Sequence, residues 1–196
     1  MFLPGYTINE YKLVIPLPEA LEQKIHHIRK DFGSSYQYRA DPGRPHLTLV
    51  MFSQLEMVED RILQKLKTIG MGARPFKMEL KDFGSYPAHT IFIKVATREA
   101  IKELMSSVKD IQRLLRTDTE HKAYFLNEPV ISIARKLKPW QYEKAWLEYS
   151  HRQFTGRCIA DSLLLLKRKE GSISWQIVQR IELQDMPVQA KQQQLF

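Results

Sequence analysis

Alternating hydrophobic and polar positions predict several β-strands along the chain. A strand places successive side chains on opposite faces, so one buried face gives a period of two. We expect the runs at residues 76–83 and 90–95 to pair antiparallel, because only the short turn at residues 84–87 separates them. In chain order, the predicted strands are residues 11–17, 45–50, 76–83, 90–95, 129–135, 159–167 and 174–182.

Apolar residues spaced three and four apart predict helices between these strands. Pro18 and Pro139 suit the first turn of a helix, since proline lacks the N–H that is unpaired there in any case. Gly70 and Gly72 are typical of a helix end. The predicted helices are residues 19–30, 56–69, 98–115 and a segment from Pro139 through Tyr149.

The order of predicted elements occurs twice, which indicates an internal duplication with a period near 80 residues. The fold class that we predict is α+β, with two pseudo-symmetric lobes of antiparallel sheet and outer helices around a central cleft. We expect residues 1–186 to form a single bilobal domain, with lobes at about 8–88 and 89–183. Residues 187–196 are predicted to be a polar tail.

Candidate chemistry lies on the strand Pro45-His46-Leu47-Thr48-Leu49. His46 and Thr48 share one strand face, about 7 Å apart by the usual rise. Eighty-four residues further (130 − 46) the chain repeats the pattern as Pro129-Val130-Ile131-Ser132, with a hydroxyl at the equivalent of Thr48 and valine at the equivalent of His46. Two equivalent strands facing one cleft would bring the imidazole and both hydroxyls together.

Composition adds a preference for anionic partners. The 196 residues carry a net charge of +8 and a pI near 9.5, which favours nucleic acid or nucleotides, although a solvated basic surface explains the charge equally well. The single cysteine, Cys158, excludes an internal disulfide and a zinc site of several cysteines, and it favours a reducing, cytoplasmic location. No apolar run approaches the ~18 residues of a membrane span, so we expect no membrane association.

The two motif strands resemble those of the 2H phosphoesterase superfamily, specifically its 2'-5' RNA ligase-like (RNA 2',3'-cyclic phosphodiesterase) branch. The resemblance covers about residues 8–183. Residues 45–49 match the first motif fully, and Val130-Ile131-Ser132-Ile133-Ala134-Arg135 matches the second except at Val130, where the family has histidine. The resemblance implies a hydrolase without metal or other cofactor, in which two histidines act on cyclic or 2'-5' phosphodiesters.

The resemblance also implies roles for three residues. His46 is the expected acid–base catalyst, and the hydroxyls of Thr48 and Ser132 are expected to hold phosphate oxygens. Valine cannot transfer a proton, so two hypotheses stay open at this point. The chain is either a phosphoesterase impaired by Val130 or a non-catalytic RNA- or nucleotide-binding pseudoenzyme. Gly-rich phosphate loops, GxSxG and HExxH are absent from the sequence.

Further candidates complete the predicted site. His89 and His121 are possible second imidazoles, with a surface histidine as the alternative. Arg135 is a candidate for substrate binding, but strict alternation places it opposite Ser132, so it needs a bulge, and an ordinary salt bridge is the alternative. Four aromatic residues are candidates for stacking on bases, with core packing as the alternative: Tyr11, Phe83, Tyr86 and Phe92. The expected partners are RNA termini or cyclic nucleotides, with no metal and no membrane, and the chain is expected to be a monomer.

Overall fold

Two antiparallel β-sheets and four α-helices make up the part of the chain that the computed structural model describes, residues 6–117 and 122–187. The strands are β1 (Ile8–Pro16), β2 (His46–Leu55), β3 (Phe76–Tyr86), β4 (Thr90–Val95), β5 (Tyr124–Phe125), β6 (Val130–Arg135), β7 (Thr155–Ala160), β8 (Ser162–Lys169) and β9 (Gln176–Glu182). The first sheet has the strand order β5-β2-β1-β8-β9 and the second β6-β4-β3-β7. The predicted α+β class with two antiparallel sheets is confirmed.

The helices are α1 (Glu19–Ser35), α2 (Glu59–Gly72), α3 (Glu99–Lys109) and α4 (Pro139–Tyr149). Two of them differ in length from the sequence prediction. α1 continues past Lys30 because Phe32 is fully buried against the rings of Tyr36 and Tyr149. α3 stops at Lys109, where i→i+3 hydrogen bonds replace the helical pattern and lead to the buried Leu115. No described helix is long and apolar enough to cross a membrane.

The predicted strand at residues 159–167 is wrong, because this segment belongs to two strands. β7 ends at Ala160 and pairs with β3, whereas β8 begins at Ser162 and pairs with β1 in the other sheet. The chain changes sheets at Asp161, and nothing in the β-prone run marks that switch. The hairpin of β8 and β9 is antiparallel, as is the predicted pair of β3 and β4.

Each sheet takes strands from both halves of the sequence. β3 of the first half pairs with β4 of the second half, and β8 of the second half pairs with β1 of the first. The sequence repeat that divides near residues 88 and 89 therefore does not divide the sheets. Residues 188–196, most of the predicted polar tail, lie outside the described residues.

A β-bulge interrupts β2 one residue past Thr48. Thr48 pairs with Val14, but the next pair joins Val50 to Leu13, so Leu49 has no partner of its own in β1. A bulge adds one residue and reverses the alternation of the residues that follow. Met51, which pairs with Lys12, thus emerges on the same strand face as Thr48.

The second motif strand has the same bulge at the equivalent place. Ser132 pairs with Phe92 and Ala134 with Ile91, which leaves Ile133 as the extra residue of β6. Arg135 therefore shares the face of Ser132, as its predicted role required. The two bulges lie 84 residues apart (133 − 49), at equivalent places in the two motif strands.

Candidate active site

The start of β2 lies beside the end of β6. Asp41, in the loop before β2, pairs through Oδ2 with Nη2 of Arg135 at 3.2 Å. The Tyr38 hydroxyl donates to the Arg135 carbonyl at 3.1 Å and accepts from the Arg135 N–H at 3.0 Å. These contacts bring His46, the first residue of β2, toward the Arg135 end of the other motif strand.

The start of β6 lies close to the middle of β2. The short strand β5 pairs Tyr124 with Met51, and the Leu126 N–H donates to the Leu49 carbonyl at 2.9 Å. β6 then begins only four residues later, at Val130 (130 − 126). The two motif strands therefore run past each other in opposite directions, with Val130 at the Met51 end of β2.

Arg29 of α1 connects β6 to the loop before β2. Its Nε and Nη2 donate to the Ser132 carbonyl at 3.1 and 2.7 Å, and its Nη1 donates to the Gly43 carbonyl at 2.9 Å. The side chain is 6% exposed, and this burial lowers the pKa of the guanidinium. Arg29 is thus a structural cross-link, in which each of the three guanidinium nitrogens donates to a backbone carbonyl.

We expect Arg29→Met to destabilise the protein by about 2–4 kcal/mol, because it leaves the Ser132 and Gly43 carbonyls without their donors. Urea unfolding followed by circular dichroism measures the change. The neighbouring Lys30→Met is the control, since Lys30 is exposed on the same helix. Equal midpoints for both variants would show that the cross-link contributes nothing to stability.

His46 is held as a neutral base. Its Nδ1 lies 2.7 Å from the Arg44 carbonyl, which can only accept, so Nδ1 carries the proton and Nε2 keeps its lone pair. Burial, followed by the nearby charge of Lys12, lowers the pKa of His46 to about 4. At neutral pH the imidazole is therefore uncharged and able to accept a proton at Nε2.

The hydroxyls of Thr48 and Ser132 lie at equivalent places on the two motif strands. Thr48 and Ser132 are both half-buried, and each stands one residue before the bulge of its strand. Within residues 6–117 and 122–187, neither hydroxyl makes a hydrogen bond to another protein group. Both can therefore donate to the oxygens of a bound phosphate.

Lys12 adds a positive charge to the sheet face that carries Thr48 and Met51. It pairs with Met51 on β2, and its Nζ lies 4.2 Å from the ring centre of Trp175. The Arg168 guanidinium also lies over that ring, at 4.5 Å. Burial, followed by the charge of Arg135, lowers the pKa of Lys12 to about 8.

A cavity of about 300 Å³ lies next to this cation–aromatic cluster. Met51 and Trp175, the neighbours of Lys12, both line it. Its volume is at the lower limit of small-molecule sites. The remaining lining residues are Glu10, Tyr11, Phe52, Ser53 and Lys122.

Two of the four aromatic candidates are packed in the core. Tyr11 is fully buried, stacks on Phe52 at 5.1 Å and donates its hydroxyl to Glu59 at 2.9 Å. The ring of Phe83 is covered by Tyr149 and Phe154. Neither leaves an open ring face for a base.

The other two aromatic candidates contact each other on the second sheet. Phe92 is 4% exposed, and its ring is 4.7 Å from that of Tyr86. A Cβ at Gly84 would come within 2.5 Å of the Phe92 ring, so the absence of a side chain there makes room for it. Tyr86 is half-buried and donates to Glu128 at 3.3 Å.

Of the two candidate second imidazoles, only His89 is among the described residues, and it does not lie beside Val130. His89 precedes β4, whereas Lys94 near its other end is the partner of Val130, roughly 16 Å away by strand rise. The Nδ1 of His89 is 2.6 Å from the hydroxyl of Thr90. His121 lies outside the described residues.

Sequence reasoning did not assign Lys12, Trp175 or Arg29 to the site. A signal was present for Lys12, because a lysine stands at the cleft-facing position of the apolar run from Tyr11 to Ile15. Trp175 and Arg168 depend on the β8–β9 hairpin folding back over β1, which the sequence pattern does not reveal. Among the described residues, no cluster of three or more histidine, cysteine or acidic side chains is arranged to hold a metal ion.

Comparison with known proteins identifies the family to which the chain belongs. A family model described as the 2'-5' RNA ligase superfamily matches residues 17–172. The chain belongs to the 2'-5' RNA ligase superfamily. Members of this superfamily are 2H phosphoesterases, and membership supports a phosphoesterase-type function. A search of curated proteins found no match.

Solved structures show the fold of the 2'-5' RNA ligase superfamily. Escherichia coli LigT complexed with 3'-AMP has 15% identity and a TM-score of 0.65, with 90% of this chain and 98% of LigT covered. TT0787 of Thermus thermophilus has 15% identity and a TM-score of 0.65, covering 89% and 98%. A protein described as a phosphoesterase has 13% identity and the same score, also covering 89% and 98%. At these identities the similarity is one of fold.

Proposed function

We propose that this 2'-5' RNA ligase superfamily member is a metal-independent hydrolase of 2',3'-cyclic or 2'-5' phosphodiesters in RNA or nucleotides. The observation that supports this most directly is the state of His46, whose protonated Nδ1 is bound to the Arg44 carbonyl and whose Nε2 is free to accept. A positioned neutral imidazole beside phosphate-binding hydroxyls is the arrangement that general-base hydrolysis requires.

The chemistry divides among four side chains. Nε2 of His46 takes a proton from water as the water oxygen bonds to phosphorus. The hydroxyls of Thr48 and Ser132 donate to the phosphate oxygens that gain negative charge. Arg135, brought to the face of Ser132 by the bulge of β6, contributes positive charge near the same oxygens. Its ion pair with Asp41 is half-exposed, so the guanidinium can also reach a ligand.

The ligand class in this proposal is a nucleotide or an RNA end. Structures of Escherichia coli LigT complexed with 3'-AMP, NADP+ and ATP support it by similarity of fold. In this chain, Lys12 and Arg168 supply positive charge, and the cavity beside Trp175 offers an aromatic wall for a base. We assign stacking to Trp175, because the four rings favoured by the sequence are packed against protein or only partly open.

A second hypothesis is a nucleotide-binding pseudoenzyme that uses the same cleft. Val130 favours it, because the second imidazole of the family motif is absent. Both hypotheses use Thr48, Ser132 and the basic residues for phosphate. The proposal also includes a monomer and a reducing, cytoplasmic setting. The single cysteine supports the reducing setting.

Hydrolysis of 2',3'-cyclic AMP, and of a short RNA with a 2',3'-cyclic phosphate end, tests the proposal. With EDTA present, we expect conversion to a phosphomonoester, measured by liquid chromatography, and weaker binding as salt rises. The variant Thr48→Val with Ser132→Ala keeps the approximate size of both side chains but should lose binding. Binding without turnover would favour the pseudoenzyme, and absence of both would reject either function.

A further inference from the structure

We propose that Lys12 supplies the second proton-transfer group of the cleft, in place of the histidine that Val130 replaces. This inference rests on the proposed function, since it assigns the general acid of that same hydrolysis. Lys12 lies outside both motif strands and is carried on β1.

The described contacts bring the Val130 end of β6 to the Lys12 end of the first sheet. Leu126 bonds to the Leu49 carbonyl, and the chain reaches Val130 four residues later (130 − 126). Met51, two residues past Leu49 on β2 (51 − 49), pairs with Lys12 on β1. The side chain at position 130 of β6 and the side chain of Lys12 on β1 therefore point to the same region of the cleft, from opposite sheets.

The surroundings of Lys12 leave its charge available to a ligand. Throughout the part of the chain that the structure describes, its Nζ forms no salt bridge, and its close contact is the face of Trp175. The two carboxylates nearby are already paired, Glu10 with Arg168 and Asp41 with Arg135. A partly buried ammonium whose neighbouring carboxylates are both paired with arginines is costly for the free protein, which indicates a place kept for an anion. The charged and titratable groups facing it are Arg135 of β6, His46 of β2, Arg168 of β8, Glu10 of β1 and Asp41 of the loop before β2.

The two groups have complementary protonation states at neutral pH. Burial and neighbouring positive charge lower the pKa of His46 to about 4 and the pKa of Lys12 to about 8. His46 is then neutral and accepts a proton, whereas Lys12 is still protonated and donates one readily. When the environment places the pKa values of two neighbouring groups on opposite sides of the working pH, the group with the lower pKa acts as the base and the other as the acid.

Every atom and proton of the proposed step is accounted for by water, the substrate and these two side chains. Water bonds to phosphorus and gives one proton to Nε2 of His46, while the bond from phosphorus to one ribose oxygen breaks. That oxygen takes a proton from the Lys12 ammonium, which becomes a neutral amine. The product is a phosphomonoester with a free ribose hydroxyl. His46 then returns a proton to Lys12 through solvent, and no other reactant is consumed.

Lys94 is the rival residue, because it pairs with Val130 in the register of β4 and β6. Its side chain is exposed, so its ammonium is in contact with water. Lys12 instead combines burial with charge coupling to His46. Lys94→Met is therefore the matched control, since it removes one lysine near position 130 without touching the proposed acid.

The test compares Lys12→Met, Lys12→Arg and Lys94→Met in steady-state hydrolysis of 2',3'-cyclic AMP from pH 5 to pH 10. We expect Lys12→Met to lower kcat by about 10²–10⁴-fold, the usual range for one general acid. Arginine keeps the charge but does not release its proton between pH 5 and pH 10. Lys12→Arg should therefore keep KM but lose kcat. Its residual rate should also lack the alkaline limb of the pH–rate profile, the fall in rate as pH rises through about 8. Lys94→Met should retain both kcat and the limb.

Three outcomes would overturn the inference. Full kcat in Lys12→Arg would show that only charge is needed. Loss of kcat in Lys94→Met, with Lys12→Met active, would assign the acid to Lys94. A wild type that binds the nucleotide but does not hydrolyse it would reject the proposed hydrolase, and with it any proton donor, before a variant is made. Circular dichroism confirms that each variant is folded.

Discussion

Replacing His46 with alanine should reduce hydrolysis of a 2',3'-cyclic phosphate by about 10²–10⁴-fold, because the alanine variant has no imidazole to accept the proton of the attacking water. The bond from Nδ1 to the Arg44 carbonyl orients the ring, and no other histidine lies on that strand. The measurement is kcat at saturating substrate, with binding followed separately. Loss of kcat with retained binding is the expected result.

His89→Ala is the matched control for this experiment. His89 was a candidate second imidazole, but it lies at the opposite end of β4 from the residue that pairs with Val130. We expect the control to retain activity. The same defect in His89→Ala and His46→Ala would show that both imidazoles reach the phosphate, and it would reject the assignment of the acid to Lys12.

The pH dependence of stability gives a further prediction for His46. Since burial lowers the pKa of His46 from 6.5 to about 4, the unfolded chain binds more protons than the folded protein between these values. Stability should therefore fall as pH decreases from 6.5 to 4, by up to about 3 kcal/mol at 1.36 kcal/mol per pKa unit. His46→Gln should remove this part of the acid destabilisation, which thermal unfolding at several pH values measures.

The repeated motif is the part of the site that sequence reasoning could locate. A proline, alternating apolar residues and a hydroxyl occur at residues 45–49 and again at residues 129–133, and both segments became strands with equivalent bulges. Local spacing is enough for this, because strand alternation depends only on near neighbours. The need for a bulge at Arg135 also followed from counting positions, and the register of β6 contains it.

The exchange of strands between the two sheets could not be predicted in the same way. Residues 155–169 form a nearly continuous β-prone run, yet the chain changes sheets at Asp161. Pairing partners depend on contacts between distant residues, which a period of two does not encode. The position of Trp175 over Lys12 and Arg168 depends on that pairing, so this part of the site emerged only from the structure.

The aromatic candidates show a related limit. An aromatic residue on a strand shows the same period whether its face is covered by a helix or open to a ligand. Tyr11 and Phe83 were both candidates for stacking, and both rings are covered by other aromatic rings. Lys12 is adjacent to Tyr11 in sequence and therefore points to the other face of β1. The buried ring thus indicates which face the lysine occupies.

Adding a histidine at position 130 should rescue the loss of Lys12. In the double variant Lys12→Met with Val130→His, we expect kcat to recover by about 10²-fold or more relative to Lys12→Met alone. The imidazole would enter the cleft from β6 at the place that Lys12 occupies from β1. The measurement is hydrolysis of 2',3'-cyclic AMP by the wild type, both single variants and the double variant.

The rate gain from Val130→His should depend on whether Lys12 is present. Where Lys12 already donates the proton, a second acid at position 130 is largely redundant, so Val130→His should raise kcat much less in the wild-type background than in the Lys12→Met background. The rescued enzyme should also lose activity at lower pH than the wild type, because an imidazole with a pKa near 6.5 gives up its proton before an ammonium with a pKa of about 8. An equal gain in both backgrounds would mean that Lys12 and position 130 act independently, and the proposed exchange of one proton donor for another would then be rejected.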